Sequence, residues 1–200
     1  MIRRFLLLLV VLSGAPGCLV LSLQPAYDGD SLAWDPALLG VWRDADDNAS
    51  VRIEAAEWHS YRLHYDYAIE RGDLTGFLTV LGDARYLDVR PLSGEDPGSL
   101  LIPVHAVLRV AIDGDHLEVT PLSYDWLAAR LRSGRPPGEG LKAVFDQKQN
   151  ALIVSPTATL RGWLRSQPPG GAAFGAAASF VRVPPHPLSI STASAAKEPR

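Results

Sequence analysis

At 200 residues with a single cysteine, the chain is long enough for one domain with a sizeable core, which must be held without an internal disulfide or a cysteine-built metal site. Nineteen Lys and Arg against 22 Asp and Glu give a net charge of −3. No Lys/Arg run interrupts the sequence, which argues against a nucleic-acid or anionic-membrane surface.

The chain opens with Arg3 and Arg4, an unbroken apolar run from Phe5 to Leu12, and the small residues Ser13 to Gly17 ahead of Cys18. This is the three-part pattern of an export signal, with an apolar stretch too short to span a bilayer. The segment Ala15-Pro16-Gly17-Cys18 resembles the lipobox of bacterial lipoproteins, although Ala15 stands where that family prefers Leu. The resemblance implies cleavage before Cys18 and a diacylglyceryl cysteine that ties the mature chain to a membrane of the bacterial cell envelope. With Leu19 rather than Asp after the cysteine, it points to the periplasmic side of the outer membrane. Two other readings stay open: ordinary signal cleavage after Ala15-x-Gly17, and an uncleaved anchor extended by Leu19 to Leu23. A lone thiol is a liability in an oxidising compartment, and acylation removes it. Two or more acyl chains also make attachment stable. Loss of residues 1–17 removes two arginines and no acid, taking the net charge from −3 to −5.

Residues 18–36 read as a lipidated N-terminus and tether, since Pro25, Asp28, Gly29, Asp30 and Ser31 break any periodicity. Asp35 is placed to cap one helical turn over residues 36–39, with Pro36 at its first position. Gly40 to Arg43 predicts the first strand, and Asp44 to Asn48 a turn. Period-2 alternation then recurs: Val51 and Ile53, then Tyr61, Leu63, Tyr65 and Tyr67. Residues 74–81 are apolar on both faces, as in a central strand. In the next strand Leu87 and Val89 oppose Tyr86 and Asp88. Residues 104–112 form the longest alternating set, with His105 and Arg109 on the polar side. Asp113-Gly114 supplies type I′ turn chemistry leading to Leu117 and Val119.

The period changes at Ser123, a predicted N-cap for a helix carrying Trp126, Leu127 and Leu131 and stopped by Gly134. Residues 141–145 and 151–154 predict two short strands. Ser155-Pro156-Thr157 opens a second helix with Leu160, Trp163 and Leu164. Residues 180–183 predict the last strand, and 184–200 a disordered tail. The fold class is therefore mainly β, an antiparallel barrel or strongly curved sheet with two short late helices, its β domain spanning 37–183. A helical turn followed by Gly40-Val41-Trp42 resembles the opening motif of the lipocalin/calycin superfamily. That resemblance implies that Trp42 closes a barrel floor and that Arg182, from the last strand, stacks across it. Trp42 reads equally well as a core aromatic after a turn glycine.

Candidate chemistry is sparse. Tyr61, Tyr65 and Tyr67 could line a ligand cavity, with phenol hydroxyls orienting a guest in an apolar barrel, or simply pack as good strand formers. His59 and His64 would face opposite ways on one strand, and His105 and His116 fall out of register across their hairpin. Neither spacing suits a shared metal. No nucleophile elbow, zinc-protease helix or phosphate loop occurs. Asp44 to Asn48 lacks the glycine and glutamate of a calcium loop. Asp125, near a helix start, complements the helix dipole. These readings predict a non-catalytic protein without cofactor or metal. It either docks to an envelope protein partner or, in the alternative, carries a small apolar ligand.

Overall fold

The computed structural model describes residues 20–44, 49–67, 71–92 and 103–184. Cys18, most of the turn at 44–48 and the tail from 185 onward lie outside the described residues. The elements in order are β1 (Val20–Ser22), β2 (Leu32–Ala33), β3 (Gly40–Asp44), β4 (Ser50–Ala55), β5 (Ser60–Asp66), β6 (Arg71–Leu81), β7 (Ala84–Pro91), β8 (Ala106–Asp113) and β9 (His116–Pro121). They are followed by α1 (Tyr124–Arg132), β10 (Ala143–Phe145), β11 (Ala151–Ile153), α2 (Thr157–Ser166) and β12 (Ala178–Arg182).

Strands β3 to β9 run up and down, each antiparallel to the next, and β12 closes the cylinder by pairing with both β9 and β3. The result is a closed eight-stranded antiparallel barrel with two helices. Alternation dictates the two faces. Trp42, Ile53, Leu63, Leu78, Leu87, Val89, Val110, Leu117 and Phe180 point inward and form one core. Intervening residues such as Arg52, Glu54 and Arg62 face water. The β8–β9 turn sits one residue later than the Asp113-Gly114 reading places it, because Asp113 is still paired with His116. Gly114 and Asp115 are the central residues and only Gly114 has positive φ, at 57°. That is the pattern of a type II′ turn, with glycine at its first central position, rather than type I′.

A second core lies outside the barrel. The segment α1–β10–β11–α2 is inserted between the seventh and eighth barrel strands and folds back over the outer face of β6, β7 and β8. Outward residues Leu81, Tyr86 and Val107 are buried there against Leu127, Leu160, Trp163, Leu164 and Phe174. On α2 the buried positions Leu160, Trp163 and Leu164 fall three and four apart, so one helical face meets the wall. Ser123 caps α1 by accepting a hydrogen bond from the Trp126 N–H at 3.2 Å, and Gly134, at φ 68°, ends it. Ser155 is not the cap of α2; its hydroxyl accepts from the Lys142 N–H at 2.7 Å.

From Val20 onward the stretch expected as a tether is built into the fold. β1 pairs in parallel with β11, and Ser22 exchanges two backbone hydrogen bonds with His105. The Ala26 N–H donates to buried Asp88 at 2.7 Å. β2 pairs with β6 at Thr79 and Leu78, beyond the point where β5 begins, and so completes the barrel wall. Arg161 of α2 ties this strap down by donating to the Ala26 carbonyl and the Ser31 hydroxyl. The polar residues that break periodicity here are hydrogen-bonding the strap to its neighbours, so the low apolar content conceals a folded segment.

Candidate functional site

The barrel interior holds an apolar cavity of about 70 Å³. It runs from Leu38, at the end where the chain enters the barrel, to Tyr65 and Tyr67 at the other. Between them the lining is aliphatic or phenylalanine, including Ile53, Leu74, Val89 and Phe180. A single ordered water needs roughly 10–15 Å³ and two or more polar partners. The space is several times larger, and its wall offers only two phenols, so it is suited to an apolar guest.

The floor is made by local chemistry. Asp35 accepts from the Ala37 N–H and, with Pro36, sets the short turn Pro36–Leu38 that lays Leu38 across the barrel end. Trp42 is fully buried, and its indole N–H donates to the Leu38 carbonyl at 2.8 Å. Arg182 pairs with Trp42 in the β12–β3 ladder, and its guanidinium lies 4.1 Å from the centre of the indole ring. It donates to the carbonyls of Leu39 (2.5 Å) and Ala37 (2.7 Å) and to the Asp115 carboxylate (3.1 Å). Gly40 is required twice over. Its φ of 134° disfavours a side chain, and a Cβ there would stand 2.7 Å from the arginine's Nη1. The structure thus brings Gly40, Trp42 and Arg182 into one floor plug.

Tyr61 and Tyr65 share the inward face of β5, Tyr67 follows its last residue, and the three separate in role. Tyr61 is fully buried and does not line the cavity. Trp34 stacks on it at 4.6 Å, and its hydroxyl accepts from the Asp35 N–H at 2.7 Å. Burial pushes this phenol's pKa up, against an opposing contribution from the Asp35 hydrogen bond. Tyr65 and Tyr67 sit at the far end with ring centres 5.8 Å apart. Tyr67 is buried, and its pKa is raised well above the ordinary phenol value, first by desolvation and then by the charge of Asp44 and by Tyr65. Gly72, opposite Tyr65 across the β5–β6 ladder, leaves room for that ring; a Cβ would overlap it.

The histidines are dispersed. His59 lies in the β4–β5 turn, His116 at the β8–β9 turn, and His64 on the outer wall with its ring nitrogens facing Asp73 and Glu54. Among the described residues no cluster of three or more His, Cys, Asp or Glu could hold a metal ion. His105 is on the outward side of β8 but buried, its Nδ1 2.6 Å from Asp88 Oδ1. This histidine–carboxylate pair could orient a general base. It lies instead beneath the strap, between Asp88 and Tyr27, and is buried. Asp88 and His105 stand 17 residues apart on different strands, so no local pattern in the sequence pairs them. The pair's trace was Tyr86 beside Asp88, a large aromatic on the face opposite Leu87 and Val89. No protein-family model, curated protein or solved structure matches this chain.

Proposed function

We propose that this chain is a lipid-anchored protein of the bacterial envelope whose barrel binds a small apolar molecule without chemistry of its own. The observation that carries the reading is the cavity, apolar throughout, plugged at one end by Trp42 and Arg182 and rimmed at the other by Tyr65 and Tyr67. Its size narrows the guest. Drug-sized ligands occupy roughly 300–1,000 Å³, so about 70 Å³ suits the end of an alkyl chain or a compound of few heavy atoms. Acylation at Cys18 would hold the folded body close to the lipid, because two residues reach at most about 7 Å before Val20 begins β1.

Intact mass, measured denatured and then native on protein taken from membranes in mild detergent, tests both halves. The expected denatured mass is residues 18–200 plus acyl chains. The expected native mass is higher by one small molecule and loses that increment in Leu74→Trp, which obstructs the rim. An unlipidated denatured mass would remove the anchor from the proposal. Equal native and denatured masses would remove the ligand.

A second reading, docking to an envelope protein, is favoured by one feature. Trp58 is 86% exposed at the tip of the β4–β5 turn, where both Trp58 and His59 hold positive φ. Bulky residues are disfavoured in that region, and such outliers persist where something uses them. Crosslinking in cells followed by purification should recover a partner that Trp58→Ser loses. Recovery of the protein alone counts against this reading.

A further inference from the structure

The outer wall of the barrel carries a groove of about 600 Å³, separate from the interior cavity and within the size range of small-molecule sites. One side is the β6–β7 turn with the start of β7, another the lower half of β8, and the third the end of α2 with Gln167 to Pro169. Ala111 and Pro168 give it apolar walls, with Ile112, which also packs against the interior core, at its edge. Three cations line it: Arg85, Arg109 and Arg165.

Their partners decide the sign of the site. Arg85 is held by Asp35 at 2.7 Å. Among the described residues Arg109 has only neutral partners, the Tyr86 hydroxyl at 3.0 Å and the carbonyls of Gln167 and Pro168, and its buried Nε–H has none there. Its plane lies 4.1 Å from the centre of the Phe174 ring, which fixes its orientation. Arg165 is exposed, with no hydrogen bond or ion pair among the described residues. Asp83 is the one acid among the described lining residues. At the end of α2 the Leu164 carbonyl accepts from the Tyr86 hydroxyl, and Arg109 donates to the Gln167 and Pro168 carbonyls just beyond the helix. The groove is therefore net positive, with planar donors beside apolar walls.

We propose that this groove binds a small amphipathic anion, its acidic head on Arg165 and Arg109 and its apolar body along Ala111 and Pro168. Guanidinium recognises carboxylate and phosphate alike, so the anion is defined by charge and by an apolar body rather than by one head group.

The test is photolabelling of the full chain in phosphatidylcholine vesicles with a diazirine-bearing octanoate, the labelled peptides being mapped by mass spectrometry. The expected label falls within 81–85, 109–112 and 164–169. Octanoate should compete it away and octanol should not. Arg165→Glu, an exposed change that spares the fold, should weaken labelling about tenfold, as expected for loss of one charge-assisted hydrogen bond. Equal competition by octanol would overturn the role of charge. Equal competition by inorganic phosphate would overturn the apolar body. Label confined to Leu63, Leu74 and Val119 would assign the probe to the barrel interior and overturn the groove while leaving the interior site standing.

Discussion

The plug formed by Trp42 and Arg182 makes a quantitative prediction about stability. Arg182→Met keeps most of the aliphatic stem and deletes the guanidinium. Lost with it are a cation–π contact on a fully buried indole, worth about 1–2 kcal/mol, and two bonds to backbone carbonyls, worth about 1 kcal/mol each once partial exposure is allowed for. The bond to Asp115, a side chain 73% exposed, adds little. The expected loss is about 3–4 kcal/mol. Trp42→Ala should cost about 3–5 kcal/mol through lost burial and the cavity left behind. The stack itself is isolated by a double-mutant cycle of Trp42→Leu and Arg182→Met, measured from urea midpoints at constant slope, with an expected coupling of about 1–2 kcal/mol. A coupling within about 0.3 kcal/mol of zero, or a Trp42→Ala loss below about 1 kcal/mol, would refute the plug as a structural unit.

Four further outcomes follow from other parts of the molecule. Asp88→Ala strands the Ala26 N–H and the His105 ring beneath the strap and should cost about 3–5 kcal/mol, with hydrogen exchange at residues 22–28 rising before the barrel amides respond. Trp58-His59→Asn-Gly relieves two left-handed residues and should raise stability by about 1–3 kcal/mol in the same urea assay. Gly72→Ala forces the Tyr65 ring aside and should lower stability by about 1–3 kcal/mol. Tyr67 has a folded pKa above its unfolded value, so its contribution is whole below about pH 10, the unfolded phenol value, and declines as pH rises beyond it. Tyr67→Phe should flatten that alkaline limb, and ultraviolet titration should find one phenol fewer ionising late.

The barrel was legible in the sequence because its strands are half-buried: Val51/Ile53, Leu63/Tyr65 and Leu87/Val89 alternate cleanly, and those residues do face inward. Both helices were legible for similarly local reasons, whereas the stacking of Arg182 on Trp42, 140 residues apart, was implied only by the resemblance of the Gly40-Val41-Trp42 motif. Alternation records only which residues share a face, however, and leaves open what covers it. The outward side of β8 read as polar because His105 and Arg109 lie there, yet His105 is buried on Asp88, and Arg109 bonds Tyr86 beside the second core. The strap was missed for a related reason, since β1 and β2 are three and two residues long, below the length at which a period can register. Tyr61 was grouped with Tyr65 and Tyr67 by spacing alone; the Trp34 ring and the Asp35 backbone that turn it into floor structure come from 26 or more residues away in sequence.

The insertion ahead of β12 has a consequence for how the chain reaches its folded state. Strand β3 waits for a partner about 140 positions downstream, since Trp42 pairs with Arg182. Until Ala178–Arg182 emerges, seven barrel strands exist with two bare edges, on β3 and β9, and the floor lacks its guanidinium. Exposed edges recruit other strands, and long-range closure is slow. A chain that crosses a membrane unfolded would therefore be most vulnerable to self-association in the interval before its last described strand docks, and a stop codon a few residues before Ala178 would make that vulnerable species permanent.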